Sequence, residues 1–316
     1  MITLFFSFLI LLIIYVFVGG GLLVLVVGAI IIAIIASAVK RNNSNISPST
    51  SAIEEMDSSE DKDMSKRFDI TAVKTIDNYL KKAGIVDIKN ESNPVLERDH
   101  GKHFTTEEHF RGLIYSLLTN QRKWSDVEPK LPEIDKLFFN YDLDKVKEHN
   151  GEYFEAGIRR LKCGNISIKM QMAGLRDDIA VFEQIIIKYG SIDNFVTSMP
   201  AEEVVKAISS SGSKYKLQGV GPALAWEYLR NVGIDASKPD THLKRFFGSE
   251  RMGISNNIEA TDDEVISAVS SIAEEGSYSK FEIDYLIWAY CASGKGEVCT
   301  ASPNCSKCVI RSYCRK

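Results

Sequence analysis

From residue 68 to the C-terminus, apolar residues recur at the spacing of one helix face, segment after segment. No stretch alternates polar and apolar residues as a half-buried strand does, and there are no hairpin signals or repeats. "DITAVKTIDNYLKKAG" closes on Gly84, suited to the residue just past a helix end. "TTEEHFRGLIYSLLTNQ" opens with Thr105 and, three residues on, Glu108, a capping box; Thr261 and Glu264 repeat it. "SIKMQMAGLRDDIAVFEQIIIKYG" predicts one long amphipathic helix ending at Gly190, and Pro200 suits the first turn of "PAEEVVKAIS". "KFEIDYLIWAYCAS" is largely apolar and predicts a buried helix. This part of the chain reads as all-α.

The front of the chain reads differently. Of the 316 residues 45% are apolar, but residues 2–39 carry no charge at all. Gly19, Gly20 and Gly21 divide that run into two halves, each close to the ~20 residues that span a bilayer. A membrane-crossing helical hairpin is expected, with one long span as the alternative. Lys40 and Arg41 follow, which places the remainder in the cytoplasm by the positive-inside rule. A cleaved signal peptide competes, because "ASA" at 36–38 resembles a cleavage site, but a basic leading segment is missing. A soluble protein starting at Met56 or Met64 is the third option. The expected organisation is a transmembrane segment over 1–41, a disordered Ser-, Asn- and acid-rich linker over 42–67, and a helical domain over 68–316.

The net charge of −4 gives no overall basic signature, so a polyanion would need a local patch. Four of the six cysteines, Cys299, Cys305, Cys308 and Cys314, crowd the last eighteen residues as C-x5-C-x2-C-x5-C. A disulfide framework spreads its cysteines along a small domain, whereas this clustering suits a metal or cluster site. Four thiolates hold an iron–sulfur cluster or a zinc ion. Zinc sites usually pair two C-x2-C knuckles, and here there is one. Lys307, Arg311, Arg315 and Lys316 surround the thiols, with no acidic residue from 299 on. That patch suits phosphates, or it merely solubilises the tail. Cys163 and Cys291 read as buried thiols.

Residues 204–233 read as helix, tight turn, helix. Gly219 and Gly221 permit positive φ and close backbone approach, and Pro222 can begin the second helix. Free amides at that helix start suit a phosphate, with Lys214 and Lys216 just before them. An ordinary helix–helix turn explains the glycines equally. Asp240, after Pro239 and before an apolar helix, is a good N-cap residue.

"LQGVGPALA" followed by "KPDTH" resembles the helix-hairpin-helix DNA glycosylase superfamily, the group of endonuclease III and the adenine and alkylpurine glycosylases. The resemblance runs over roughly residues 100–316. It implies a two-lobed helical fold, with a central lobe over about 106–235 and a second lobe from 68–105 and 236–316. It implies double-stranded DNA as partner. Leu217, Gln218, Gly219, Val220 and Gly221 would form the backbone-gripping hairpin, and Asp240, with Thr241 and His242, the catalytic loop. "LLTNQ" matches the segment whose glutamine, here Gln121, fills the gap left by a flipped nucleotide. Arg122 and Lys123 would meet phosphate, and Trp124 would stack on a base; a solvated helix end with a core tryptophan is the other reading. The cysteines match the family's 4Fe–4S loop except that the first gap is one residue short, so zinc stays the second option.

Two departures matter. Bifunctional members carry a lysine two residues after the second hairpin glycine, and Ala223 stands there. Adenine-excising members carry a glutamate where this chain has Ser116. The resemblance therefore implies a monofunctional glycosylase that hydrolyses the N-glycosidic bond of a damaged or mispaired base. The alternatives are a non-catalytic, membrane-tethered DNA-binding protein and a membrane-bound iron–sulfur redox protein.

Overall fold

The computed structural model describes residues 66–89 and 93–316. All regular structure among them is helical. α1 is Ile70–Lys82, and α2 is Pro94–Asp99. A helical run follows: α3 Thr106–Leu118, α4 Trp124–Val127, α5 Leu131–Leu137, α6 Leu143–Lys147 and α7 Gly151–Arg160. Next come α8 Ile168–Ala173, α9 Leu175–Tyr189, α10 Ile192–Thr197, α11 Ala201–Ser209 and α12 Pro222–Asn231. The chain closes with α13 Thr241–Phe247, α14 Asp262–Glu274 and α15 Lys280–Cys291.

The termini of these helices follow local chemistry. Both expected capping boxes form, and Ser279 with Glu282 makes a third. The single long helix expected over 167–190 is instead two, because the chain breaks at Gly174. A Cβ there would stand 2.4 Å from Cβ of Gln218, so the break lets the 217–221 hairpin pack onto it. Tertiary contact overrides helical periodicity at that one residue.

Two apolar cores form. The first runs from Phe104 to Ala236 and is built around α3, whose Phe110, Leu113, Ile114, Leu117 and Leu118 are fully buried. The second joins α1 to the C-terminal part: Phe68, Val73 and Ile76 pack with Phe246, Phe247, Ile283 and Leu286. Burying each such side chain contributes roughly 1.5–3 kcal/mol. A buried polar node fixes α12 against α3. Asp193 accepts from Arg98 Nη2 at 2.6 Å, and His109 Nε2 lies 3.2 Å away; the other ring nitrogen of His109 is 2.7 Å from Tyr228 Oη. Burial alone would raise the Asp193 carboxyl, but His109 and Arg98 outweigh it and hold the group well below the usual carboxylate range.

The expected transmembrane segment is corrected. No helix among the described residues is long and apolar enough to cross a membrane. α9, with 15 residues, is shorter than the ~20 a span needs and carries charges such as Asp177 and Lys188. Residues 2–39, which carried the expectation, lie outside the described residues, as does the linker up to residue 65. The described residues are therefore all-α, and none of their helices spans a membrane. The membrane-anchored localisation and the membrane as partner are withdrawn with the expected segment.

Candidate active site

Asp240 is placed by α13. Its backbone is extended (φ −86°, ψ 177°), and Oδ1 accepts the amides of His242 and Leu243 at 2.8 and 3.0 Å. The carboxylate is thus the N-cap, the simpler of the two roles its sequence context allows. Oδ2 makes no hydrogen bond to any described residue. Asp240 also lines a cavity of about 260 Å³ with Thr119, Arg122, Trp124, Lys238 and His242. Capping and cavity-lining coexist, because the cap uses one carboxylate oxygen.

One wall of that cavity is aromatic. Phe281, Tyr285 and Trp288 lie on one face of α15 at i, i+4 and i+7. Phe281 and Tyr285 stack at 6.1 Å with 4° between planes, and Tyr285 and Trp288 at 5.6 Å with 28°. Charged residues complete the lining, Glu227 and Arg230 from α12 and Lys238 from the loop before α13. Arg230 Nη1 lies 2.9 Å from Asp284 Oδ1, and Lys238 Nζ lies 3.3 Å from Glu227 Oε2. Burial would raise Glu227, but Lys238 and Arg230 prevail and hold it low. Asp284 is buried deeper; burial pushes it up to about 7 despite Arg230, and its Oδ2 accepts the Lys238 amide at 2.6 Å. Burial also lowers His242, outweighing the nearby Asp240, so its ring is neutral near pH 7.

Gln121 is exposed on the turn after α3, at φ +54°. Left-handed backbone costs a non-glycine residue roughly 1–2 kcal/mol, so the surroundings must hold it. They do: the Arg122 guanidinium donates to the Lys162 carbonyl, and Asn165 Nδ2 donates to the Leu117 carbonyl at 2.9 Å. Thr119 and Arg122, on either side of it in sequence, line the cavity, whereas Gln121 does not. Lys123 is exposed, and Trp124 is half-buried against Tyr115, 6.4 Å between ring centroids. Ser116 is buried, donating to the Leu113 carbonyl, and does not line the cavity that Asp240 lines.

The 217–221 hairpin is built partly from inward side chains. Leu217 and Val220 are in the first core, so only their backbone is available to a ligand. The Lys216 ammonium turns inward onto the carbonyls of Leu217 and Val220. Lys214 and Gln218 are exposed, Lys214 with its ammonium 4.6 Å from the Tyr215 ring. Gly219 has φ +70°, and a Cβ would meet Gln171 Cγ at 2.8 Å. Gly219→Ala should therefore cost roughly 1–2 kcal/mol in thermal unfolding; a wild-type melting curve would show that the turn relaxes freely.

Beneath the hairpin, fully buried Asp178 accepts the Gln218 amide at 2.5 Å, and its other oxygen is buried without a partner. Burial pushes its carboxyl up to about 7, against the Gln218 bond and Lys216. The folded form holds this proton more tightly than the unfolded chain, so stability falls as pH rises from about 4 to 7. Asp178→Asn keeps an acceptor for Gln218. It should raise the melting temperature slightly near pH 5 and much more near pH 8. Equal shifts at both values would contradict a buried, titrating Asp178.

Cys299 is buried, and its Sγ accepts from Arg251 Nη1 at 3.2 Å. Its thiol is pushed down to about 6 by a hydrogen bond from Cys291 and, against burial, by Arg251. Arg251 is itself buried and has no carboxylate partner among the described residues. Cys305, Cys308 and Cys314 are half-buried free thiols in the same terminal loop. No three His, Cys, Asp or Glu side chains are arranged to hold a metal ion among the described residues. Lys307, Arg311, Arg315 and Lys316 are all exposed.

Sequence reasoning missed Glu227, Arg230, Asn231, Lys238 and the aromatic wall. The aromatic spacing at 281, 285 and 288 was available as a signal; it reads as core because most of the helix is apolar. No family model matches the sequence, and no curated protein matches it. Among solved structures the chain is similar to Methanocaldococcus jannaschii 8-oxoguanine glycosylase/lyase in complex with 15mer DNA containing 8-oxoguanine. The TM-score is 0.44 and the identity 19%, over 72% of this chain and 97% of that one.

Proposed function

We propose that this protein is a DNA glycosylase that hydrolyses the N-glycosidic bond of a damaged or mispaired base, with Asp240 as the catalytic carboxylate. The observation that carries the reading is a fixed carboxylate in a cavity with an aromatic ladder for its other wall. Breaking an N-glycosidic bond builds positive charge on the sugar, which a fixed anion stabilises. The same carboxylate orients or deprotonates the attacking water. The aromatic face offers stacking to a base taken out of the duplex, which repays part of the few kcal/mol of unstacking. Gln121, exposed on the turn between cavity-lining Thr119 and Arg122, fills the gap left behind.

The hairpin amides, roughly 9 Å along α12 from Glu227, and the exposed Lys123, Lys214 and Arg311 engage phosphate. Ala223 leaves the hairpin without an amine, which favours water as the attacking group for base release. Cys299, Cys305, Cys308 and Cys314 would hold a 4Fe–4S cluster; zinc, the alternative, is disfavoured because no three side chains are arranged around one ion among the described residues. A buried Arg251 with no carboxylate partner fits an anionic thiolate group beside it. When bound, the cluster supplies a brace for the basic loop.

The test uses the full-length chain and duplexes carrying single deaminated, alkylated or oxidised bases. Base release is read as alkali-labile abasic sites. Release from one class names the substrate. Duplex binding with no release across the panel would leave a non-catalytic DNA-binding protein.

A further inference from the structure

We propose that Asp178 links the hairpin's hold on duplex DNA to a proton: protonating this buried carboxyl tightens the hold. This rests on the proposed role of the hairpin as the phosphate grip, and not on base release. The amides of Gly219 and Gly221 donate to no described residue, and a Cβ on Gly221 would meet nothing within 4 Å. That open side, at the start of α12, suits a phosphate. The Gln218 amide, one residue earlier, instead turns inward and donates to Asp178 Oδ1 at 2.5 Å.

Asp178 lies in the first turn of α9 and is fully buried, and its second oxygen has no partner. A proton can sit on that oxygen while the first keeps the Gln218 amide, so the hairpin holds its shape in both states. What changes is the charge behind the phosphate-facing amides. Two charged side chains act on the carboxyl. Lys216, with its ammonium on the Leu217 and Val220 carbonyls, favours the anion, and Asp177, exposed on α9, opposes it. α8 meets the hairpin through uncharged Met170 and Gln171, and its Lys169 is exposed. Burial outweighs both the Gln218 bond and Lys216, which puts the titration at about 7.

A phosphate on the amides adds negative charge across the Gln218 peptide from Asp178. It disfavours the anion further, so the complex takes up a proton from the buffer at a pH where the free protein has lost it. By linkage, affinity falls as pH rises through about 7. One added charge behind the amides should weaken binding roughly 3–10-fold, at an effective dielectric of about 20 or more.

The full-length protein is titrated with an undamaged duplex at fixed salt, near pH 6 and near pH 8.5. Asp178→Asn keeps an acceptor for Gln218 without the titrating charge. It should match wild type near pH 6 and bind roughly 3–10-fold more tightly than wild type near pH 8.5. Asp177→Asn removes an exposed charge from the same turn and should keep the wild-type pH dependence. Asp284 also titrates at about 7, but its share persists in Asp178→Asn, so the difference between those two chains belongs to Asp178. Binding heats in buffers of different ionisation enthalpy, near pH 7.5, read the proton directly: wild type should take up more than Asp178→Asn. Equal pH profiles or equal proton uptake would overturn the proposal. So would an Asp178→Asn gain of one size at both pH values, which is a plain charge effect, or no duplex binding at either pH. Proton-linked binding without base release from any lesion would sink the glycosylase reading alone. Base release with the same pH profile of binding in wild type and Asp178→Asn would sink only the proton link.

Discussion

Asp240→Asn should lower single-turnover base release by about 10²–10⁴-fold, the range of a positioned acid–base group. The substitution separates two jobs that the wild-type residue performs together. Asparagine caps a helix as well as aspartate does. Its side-chain oxygen can still accept the His242 and Leu243 amides, so α13 and the melting temperature should hold. The charge opposite a developing sugar cation is gone. Asp240→Ala removes both functions and should also cost about 1 kcal/mol of stability. Near-wild-type release by the asparagine variant, on the substrate found in the panel, would reduce Asp240 to a cap. Thermal unfolding of both variants keeps the chemical and structural losses apart.

Arg230→Met should destabilise the fold by about 3–5 kcal/mol, because it leaves a buried carboxylate unpaired. Arg230 belongs to α12, and Asp284 to α15, which lines the second core. Their 2.9 Å ion pair, with side chains 10% and 2% exposed, ties the elements on either side of the cavity. The sign with pH follows from Asp284. Burial has already raised its carboxyl to about 7, so it opposes folding increasingly as pH rises from about 4. Without Arg230 that rise goes further, and the loss should be greater near pH 8 than near pH 5. The double variant Arg230→Met, Asp284→Asn should recover much of it, since asparagine still accepts the Lys238 amide. Denaturant titration at both pH values checks this. A loss below about 1 kcal/mol near pH 8, the worth of an exposed pair, would mean that water reaches Asp284.

Much of this molecule is legible as sequence, for identifiable reasons. Helices with a capping box or a terminal glycine announce their ends locally, as at Thr105, Thr261 and Gly190, because the chemistry lies within four residues. Asp240 was open to reading for the same reason: its cap is made by the next three residues. The turn at Gly219 was legible because a positive φ selects glycine.

What tertiary structure decided is what depends on distant residues. The break at Gly174 exists only because Gln218 packs there, 44 residues later. Lys216, placed with the phosphate-facing lysines by sequence, turns onto hairpin carbonyls because burying its stem leaves the ammonium those partners. Glu227, Lys238 and the 281–288 aromatic face become one site only when α12, the loop before α13 and α15 converge. The reading of residues 2–39 as a membrane anchor rested on composition alone, and no described helix supports it. The sequence by itself determined an all-helical domain with a glycine hairpin, a capping aspartate and clustered thiols. Only the tertiary structure decided which charges face the cavity, because burial and pairing are properties of neighbours that the chain brings together from afar.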